Sequence, residues 1–307
     1  MASTAQTPPT PPPTPPCDET PRVLSIQSHV VHGYVGNKSA TFPLQLLGFE
    51  VDPVNSVQFS NHTGYPNGFK GLVMDGSNLL SLMSGLTSNS LLTSSTTHLL
   101  TGYIGSVSFL NAVIDTYHKA KEKTGGKLKY VCDPVMGDEG KMYVSEELLD
   151  VYKTQVIKLA YMVTPNAFEA NLLTGLPLTS SSTASTAINA LHDIGPKIVV
   201  ITSMVWEERP GKLIMMVSER GVGMWGVEMD KVEGHYTGTG DLVAALLLAH
   251  EHKDGGGWGE ILSNVTNTMQ AIIRRTWEGG GGELKLVQSK GDIEKKVWEG
   301  GVKAWKI

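Results

Sequence analysis

Between residues 22 and 202 the chain alternates short strand-like runs with longer helix-like ones, and this alternation constrains its fold more than any other feature. Arg22–Gln27 reads as a strand, Gly36–Leu47 as a helix and Phe49–Gln58 as a second strand. His98–Ile104 is a short apolar run, followed by a helix from Ser106 to about Lys123. Strands at Lys129–Asp133, Tyr161–Thr164 and Lys197–Thr202 are interleaved with helices at Ser145–Lys158, Asn166–Leu173 and Ala184–Ile194. Parallel neighbours need a crossover, which a helix supplies. Repeated β-then-α units therefore predict an α/β fold with a mainly parallel central sheet and helices on both faces. Lys212–Val217 and Gly223–Met229, with Gly221 near the turn, break the rhythm as two antiparallel strands. A helix to about His252, another at Glu260–Trp277, a flexible Gly279–Gly282 connector and an edge strand at Glu283–Val287 complete the expectation. There is no internal repeat and no convincing boundary, so residues 22–307 are expected to form a single domain.

Residues 1–21 have a different composition. Eight of the sixteen prolines fall there, mixed with Ser and Thr, which predicts a disordered or polyproline-II tail. The net charge of −5 is spread along the chain without a basic block, which argues against nucleic acid or an anionic membrane as partner. No apolar run reaches the length of a membrane span. Cys17 lies in the tail and Cys132 in an expected buried strand, so a structural disulfide is not expected. A reducing compartment follows, and the expected location is cytoplasmic. The tail is acid-poor up to Asp18 but lacks Arg before that point, which leaves a plastid address as a minor alternative.

Gly238-Thr239-Gly240-Asp241 precedes the apolar run Leu242–Ala249. The first turn of a helix presents unpaired N–H groups and the positive end of the helix dipole to an anion. An aspartate at the same place can accept a proton from an alcohol. One segment thus combines an anion hole and a base, as phosphoryl transfer to a hydroxyl requires. Ligands in open α/β sheets bind outside the carboxyl ends of the strands. Ser28, Thr63, Tyr103, Asp133, Asp138, Thr164, Asn166, Thr202 and Ser203 all follow expected strands. Asp133 and Asp138 flank a Pro/Gly bend, where they can face a cation or simply end a strand in a turn. Asn166 with Glu169 three residues later fits a helix cap as well as a metal-facing carboxylate. Gly36-Asn-Lys-Ser39 has no glycine before its lysine, so it is not a Walker loop, and no dinucleotide glycine fingerprint follows the first strand. His250 and His252 lie two apart on a helix and point to different sides.

Several blocks, in order, resemble those of pyridoxal kinases: Val23–Ser28 with Gly33–Asn37, Asn55–Tyr65, Leu100–Tyr103, Tyr130–Val135, Thr164–Asn166 with Phe168-Glu169, Val200–Ser203, Gly238–Asp241, and Val287–Ser289 with Asp292-Ile293. The likeness covers residues 22–307, and the glycine–aspartate turn alone is similar to the wider ribokinase-like superfamily. The resemblance implies a ribokinase-like fold and ATP-dependent phosphorylation of pyridoxal, pyridoxine and pyridoxamine at the 5′-hydroxyl. It implies that Asp241 is the base and that Gly238, Thr239 and Gly240 form the anion hole. Ser28 and Thr63 would hydrogen-bond the pyridine ring and Tyr103 would pack on it, with Val35, Phe59 and His62 completing the pocket. Asp133, Asp138, Asn166 and Glu169 match the region of Mg²⁺ (Zn²⁺ as the alternative) and of a monovalent cation such as K⁺. Tyr143, Thr164, Thr202 and Ser203 match positions near the ATP phosphates or the cation. Val232–His235, including Gly234, would lie along the adenine. A homodimer is implied too. The segment 138–143 is short compared with animal members and resembles plant-type ones, and the hairpin 204–231 is compressed as well. A hydroxymethylpyrimidine-type kinase of the same superfamily is the nearest rival, and a vitamin-binding protein without turnover is a more distant one.

Overall fold

The computed structural model describes residues 20–254 and 257–307. The expected tail, apart from its last two residues, and Cys17 lie outside the described residues. In chain order the elements are β1 (Arg22–Val30), α1 (Asn37–Leu46), β2 (Glu50–Phe59), β3 (Gly71–Val73), α2 (Gly76–Ser88), β4 (Thr96–Thr101), α3 (Val107–Lys123) and β5 (Lys129–Cys132). Then come β6 (Gly137–Asp138), β7 (Lys141–Met142), α4 (Glu146–Val151), β8 (Met162–Val163), α5 (Ala167–Thr174), α6 (Ser181–Ile194) and β9 (Ile198–Met204). The chain continues through β10 (Lys212–Glu219), β11 (Gly223–Asp230), α7 (Thr239–Asp254), α8 (Trp258–Glu278), α9 (Lys290–Ile293) and β12 (Trp305–Lys306).

One ten-stranded sheet runs in the order β12-β11-β10-β9-β8-β5-β4-β1-β2-β3, while β6 and β7 form a small separate hairpin. The six strands from β9 to β2 are parallel, and the additions at both edges are antiparallel. This is the expected α/β architecture, in one domain. The chain moves from β1 to β2 on one side and later places β4 on the other side of β1. The gap beyond the ends of β1 and β4 is therefore the switch point where open sheets bind ligands.

Alternation along the central strands sorts the core into two layers. Leu24 and Ile26 of β1 pack with helices α2 to α6. Val23 packs with α1, α7 and α8 on the opposite face. Helix α7 is buried from Asp241 to Glu251, which explains why its sequence is apolar on every side. Among the described residues no helix is long and apolar enough to cross a membrane.

Three expectations change. The helix expected over 145–158 is α4 followed by a π turn at Tyr152–Val156 and a 3₁₀ turn at Ile157–Leu159. Glu283–Val287 is not an edge strand: Leu284 and Leu286 are buried in the α1–α7–α8 core, and the edge beside β11 is taken by β12. Alternating leucines carry the period of a strand, but here they anchor an irregular segment. Finally, β3 and α2 occupy a stretch for which no element is expected from the sequence; α2 starts at Asp75, whose carboxylate accepts from Asn78 N–H in a capping box.

Candidate active site

The start of α7 lies between two adjoining cavities at the carboxyl ends of the parallel strands. The first has a volume of about 510 Å³ and the second about 570 Å³. Asp138, Thr202, His235, Tyr236, Thr239 and Gly240 line both. The turn that opens α7 is thus the wall the two cavities share, reached from either side.

The first cavity has an apolar wall. Val30, Val35, Val57 and Phe59 form a small cluster of their own, with Tyr103 packed against it. Phe69 lies 4.5 Å from Phe59 between ring centroids and extends this wall. Ser28, His62 and Thr63 add polar groups to it. A flat ring with a few polar substituents is what such a lining suits. The second cavity is walled by Phe168, Leu178, Met215, Met229, Val232 and Ile273 among others, and Ser203 and Gly234 lie in it.

Asp241 sits at the floor of the first cavity, in the first turn of α7 and next to the shared Thr239 and Gly240. Gly36 N–H donates to its Oδ2 at 2.7 Å. Burial pushes the carboxyl up to about 6, against the opposing pull of that N–H. A carboxylate with this value is ionised at neutral pH yet basic enough to take a proton. Gly238 has φ of +84°, and a Cβ there would overlap the Tyr34 carbonyl, so the turn tolerates only glycine at this point. Ser39 Oγ donates to the Gly238 carbonyl at 2.8 Å. Two points on α1 and the loop before it, Gly36 N–H and Ser39 Oγ, therefore hold the two ends of the Gly238–Asp241 turn.

Under this turn lies a buried polar chain that the sequence reading did not single out. Gln27 Nε2 donates to Ser25 Oγ at 2.9 Å, and Ser25 Oγ donates to Asn37 Oδ1 at 2.8 Å. Asn37 Nδ2 donates in turn to the Val54 carbonyl and to Asn55 Oδ1, both at 2.9 Å. Ser25 and Gln27 alternate with Leu24 and Ile26, so they face the α1 and α7 side of the sheet. Two polar residues at period two in a strand otherwise apolar and buried were the available signal.

Asp133 and Glu169 complete the acidic side. Asp133 is buried, and Thr164 Oγ1 donates to its Oδ1 at 3.3 Å. Its Oδ2 lies beside Gly240, 3.5 Å from the place a Cβ would take. Burial raises its pKa well above the usual carboxylate range, and the charges of Glu169 and Asp241 add to the effect. Burial also pushes Glu169 up to about 7, although backbone N–H groups pull the other way. Those donors are Met136 and Gly137 to Oε1, at 2.9 and 3.4 Å, and Asn166 to Oε2 at 2.9 Å. Asn166 Oδ1 accepts from Glu169 N–H, and its Nδ2 donates to the Gly137 carbonyl. The pair therefore forms the capping box of α5, and both side chains are committed to it even though they line the first cavity. Glu169 Oε2 accepts the Asn166 N–H alone, so that oxygen keeps acceptor capacity beyond the cap. Asp138 and Tyr143 are exposed at the mouth of the first cavity. Thr202 and Thr164 line it as well. Among the described residues no group of three His, Cys, Asp or Glu side chains is disposed to hold a metal.

A family model described as phosphomethylpyrimidine kinase matches residues 93–285. The chain is similar to a pyridoxal kinase of Arabidopsis thaliana, 47% identical over 303 residues that cover 94% of this chain and 95% of the relative. It is similar to a pyridoxal kinase of Homo sapiens, 45% identical over 304 residues, 90% of this chain and 96% of the relative. Among solved structures it is similar to a pyridoxal kinase from Leishmania donovani in complex with ADP and pyridoxamine, with a TM-score of 0.85, 37% identity, and coverage of 94% of this chain and all 100% of that one. With this identity over nearly the whole of both chains and a matching fold, the chain belongs to the pyridoxal kinase family.

Proposed function

We propose that the chain is an ATP-dependent kinase that phosphorylates pyridoxal, and also pyridoxine and pyridoxamine, at the 5′-hydroxyl. The observation that carries this reading is that Asp241 lines the first cavity while Thr239 and Gly240 beside it line both that cavity and the second. The vitamin ring lies in the first cavity, with Ser28 and Thr63 hydrogen-bonding it and Val35, Phe59, His62 and Tyr103 around it. The adenine lies along Val232, Gly234 and His235 in the second, with Ser203 and Tyr143 near the phosphates. The 5′-oxygen attacks the γ-phosphorus, the bond to the ADP oxygen breaks, and Asp241 accepts the alcohol proton late in the transfer. N–H groups of Gly238, Thr239 and Gly240 receive the charge on the transferred group.

The donors suit Mg²⁺ better than Zn²⁺. Mg²⁺ typically takes one or two carboxylates and keeps phosphate oxygens and waters, whereas Zn²⁺ sites are usually built with His or Cys. Asp133 and Asp138 are the carboxylates that would hold it, with Glu169 acting through water. Bound with the nucleotide, Mg²⁺ would offset phosphate charge and the repulsion among Asp133, Glu169 and Asp241. Thr164 and Thr202 supply oxygens on the side proposed for a monovalent cation such as K⁺. A coupled assay of ADP release with Mg²⁺ and ATP tests the reading. Turnover with pyridoxal and little with hydroxymethylpyrimidine supports it. The opposite preference overturns it in favour of the pyrimidine kinases that the family model's description names. We also propose a homodimer, checked by sedimentation, and a cytoplasmic location, checked by imaging the full-length chain.

A further inference from the structure

We propose that Glu283, which follows the four glycines after α8, is a positioning residue for the vitamin: its carboxylate holds the β2–β3 loop over the first cavity. This rests on the reading of that cavity as the vitamin pocket. Two donors and a histidine ring, from two loops, converge on the carboxylate. Tyr34 N–H donates to Oε2 and Tyr65 O–H to Oε1, each at 2.9 Å. His62 Nε2 lies 3.4 Å from Oε1. Gly64 N–H donates to His62 Nδ1 at 3.1 Å, so Nδ1 is the acceptor and the proton of the neutral ring sits on Nε2, facing Glu283. Burial keeps the ring pKa below its ordinary value despite the neighbouring carboxylate.

The two partners differ in how firmly they are held. Leu284 and Leu286 are buried beside Glu283, which ties it to the core under α7 and α8. Gly33 leaves room for the carboxylate, because a Cβ there would overlap it. The loop between β2 and β3 is more exposed: Thr63, Gly64, Pro66, Asn67 and Phe69 all reach the surface, and its one ring contact with the core is Phe69 on Phe59. Yet His62, Thr63 and Phe69 from this loop line the cavity. A fixed charge that gathers His62 and Tyr65 from an exposed loop sets where His62 and the adjoining Thr63 stand. Charge-assisted hydrogen bonds are the stronger kind, and geometry held this way favours binding over turnover.

Glu283→Gln replaces one accepting oxygen by an NH₂ that faces donors. The expected result is a rise of about tenfold in KM for pyridoxal, with KM for ATP within about twofold and a smaller effect on kcat. Tyr65→Phe removes the shorter of the loop's two contacts, leaves Tyr34 and His62 in place, and should raise the pyridoxal KM about threefold. The double variant should lose less than the two single losses combined, since both act through one contact. Hydrogen exchange of the ligand-free proteins gives a readout independent of activity: segment 60–70 should exchange faster in Glu283→Gln while α7 does not change. Unchanged exchange in 60–70, or equal losses for both substrates, overturns the role of Glu283. Absence of pyridoxal turnover in the unsubstituted enzyme instead overturns the vitamin assignment, and the exchange result then still tests the contact.

Discussion

The floor of the first cavity and its roof are built by opposite means. On the floor, Asp133, Thr164 and Asp241 are buried, and the polar chain of Ser25, Gln27 and Asn37 beneath them is buried too. Ser39 and Gly36 hold the α7 turn by hydrogen bonds from a helix that packs directly on α7. The roof is formed by Thr63, Phe69, Asp138 and Tyr143, all exposed, on a loop and a two-residue hairpin. Groups that meet the charge developing in a reaction gain most from a rigid, desolvated setting, because they need no reorganisation at the moment of transfer. Groups that admit and cover a ligand must be able to move. The difference predicts that floor substitutions act mainly on turnover and roof substitutions mainly on binding.

The largest effect should come from Asp241→Ala. Turnover should fall by roughly 10²–10⁴-fold, the usual range for loss of a general base, while ATP binding stays nearly intact in a titration. Near-normal turnover would break the comparison at its centre. Next is pH. Asp241 must be ionised to accept the proton, and its carboxyl is raised to about 6, so kcat/KM should drop as pH falls through that value, about tenfold per unit below it. A profile flat down to pH 5 would mean the floor does not perturb this group. Ser39→Ala leaves the Gly238 carbonyl without its hydroxyl donor. Steady-state rates should show kcat down about tenfold with both KM values little changed. A change confined to the pyridoxal KM would assign Ser39 to the roof. Smallest is Thr63→Val, expected to weaken pyridoxal binding about three- to fivefold and ATP binding less. Calorimetry with each ligand would reveal the reverse ranking, which would place Thr63 outside the vitamin pocket.

Much of this was legible before any coordinates. Alternating β and α periods predicted the parallel sheet, and Ser106 and Asn166 cap helices at the expected places. Every candidate site residue lines one cavity or the other, because residues that follow parallel strands converge on one edge of the sheet. The resemblance supplied the roles, and the geometry added a local one: Asn166 and Glu169 form the cap of α5, which their spacing had allowed, while both also line the first cavity.

The sequence by itself determined the alternation of elements, the glycine–aspartate turn before an apolar helix, and the polar residues at strand ends, because each depends on neighbours within a few positions. Only the tertiary structure decided what supports them. Ser39 reaches Gly238 across 199 residues, and Tyr65 reaches Glu283 across 218. No local period marks such partners: a serine inside a helix and a glutamate after four glycines look like ordinary solvated residues until packing removes the water. It is the same packing that raises the pKa of Asp241, since burial brings Gly36 and Gly102, both far away in the chain, against its carboxylate.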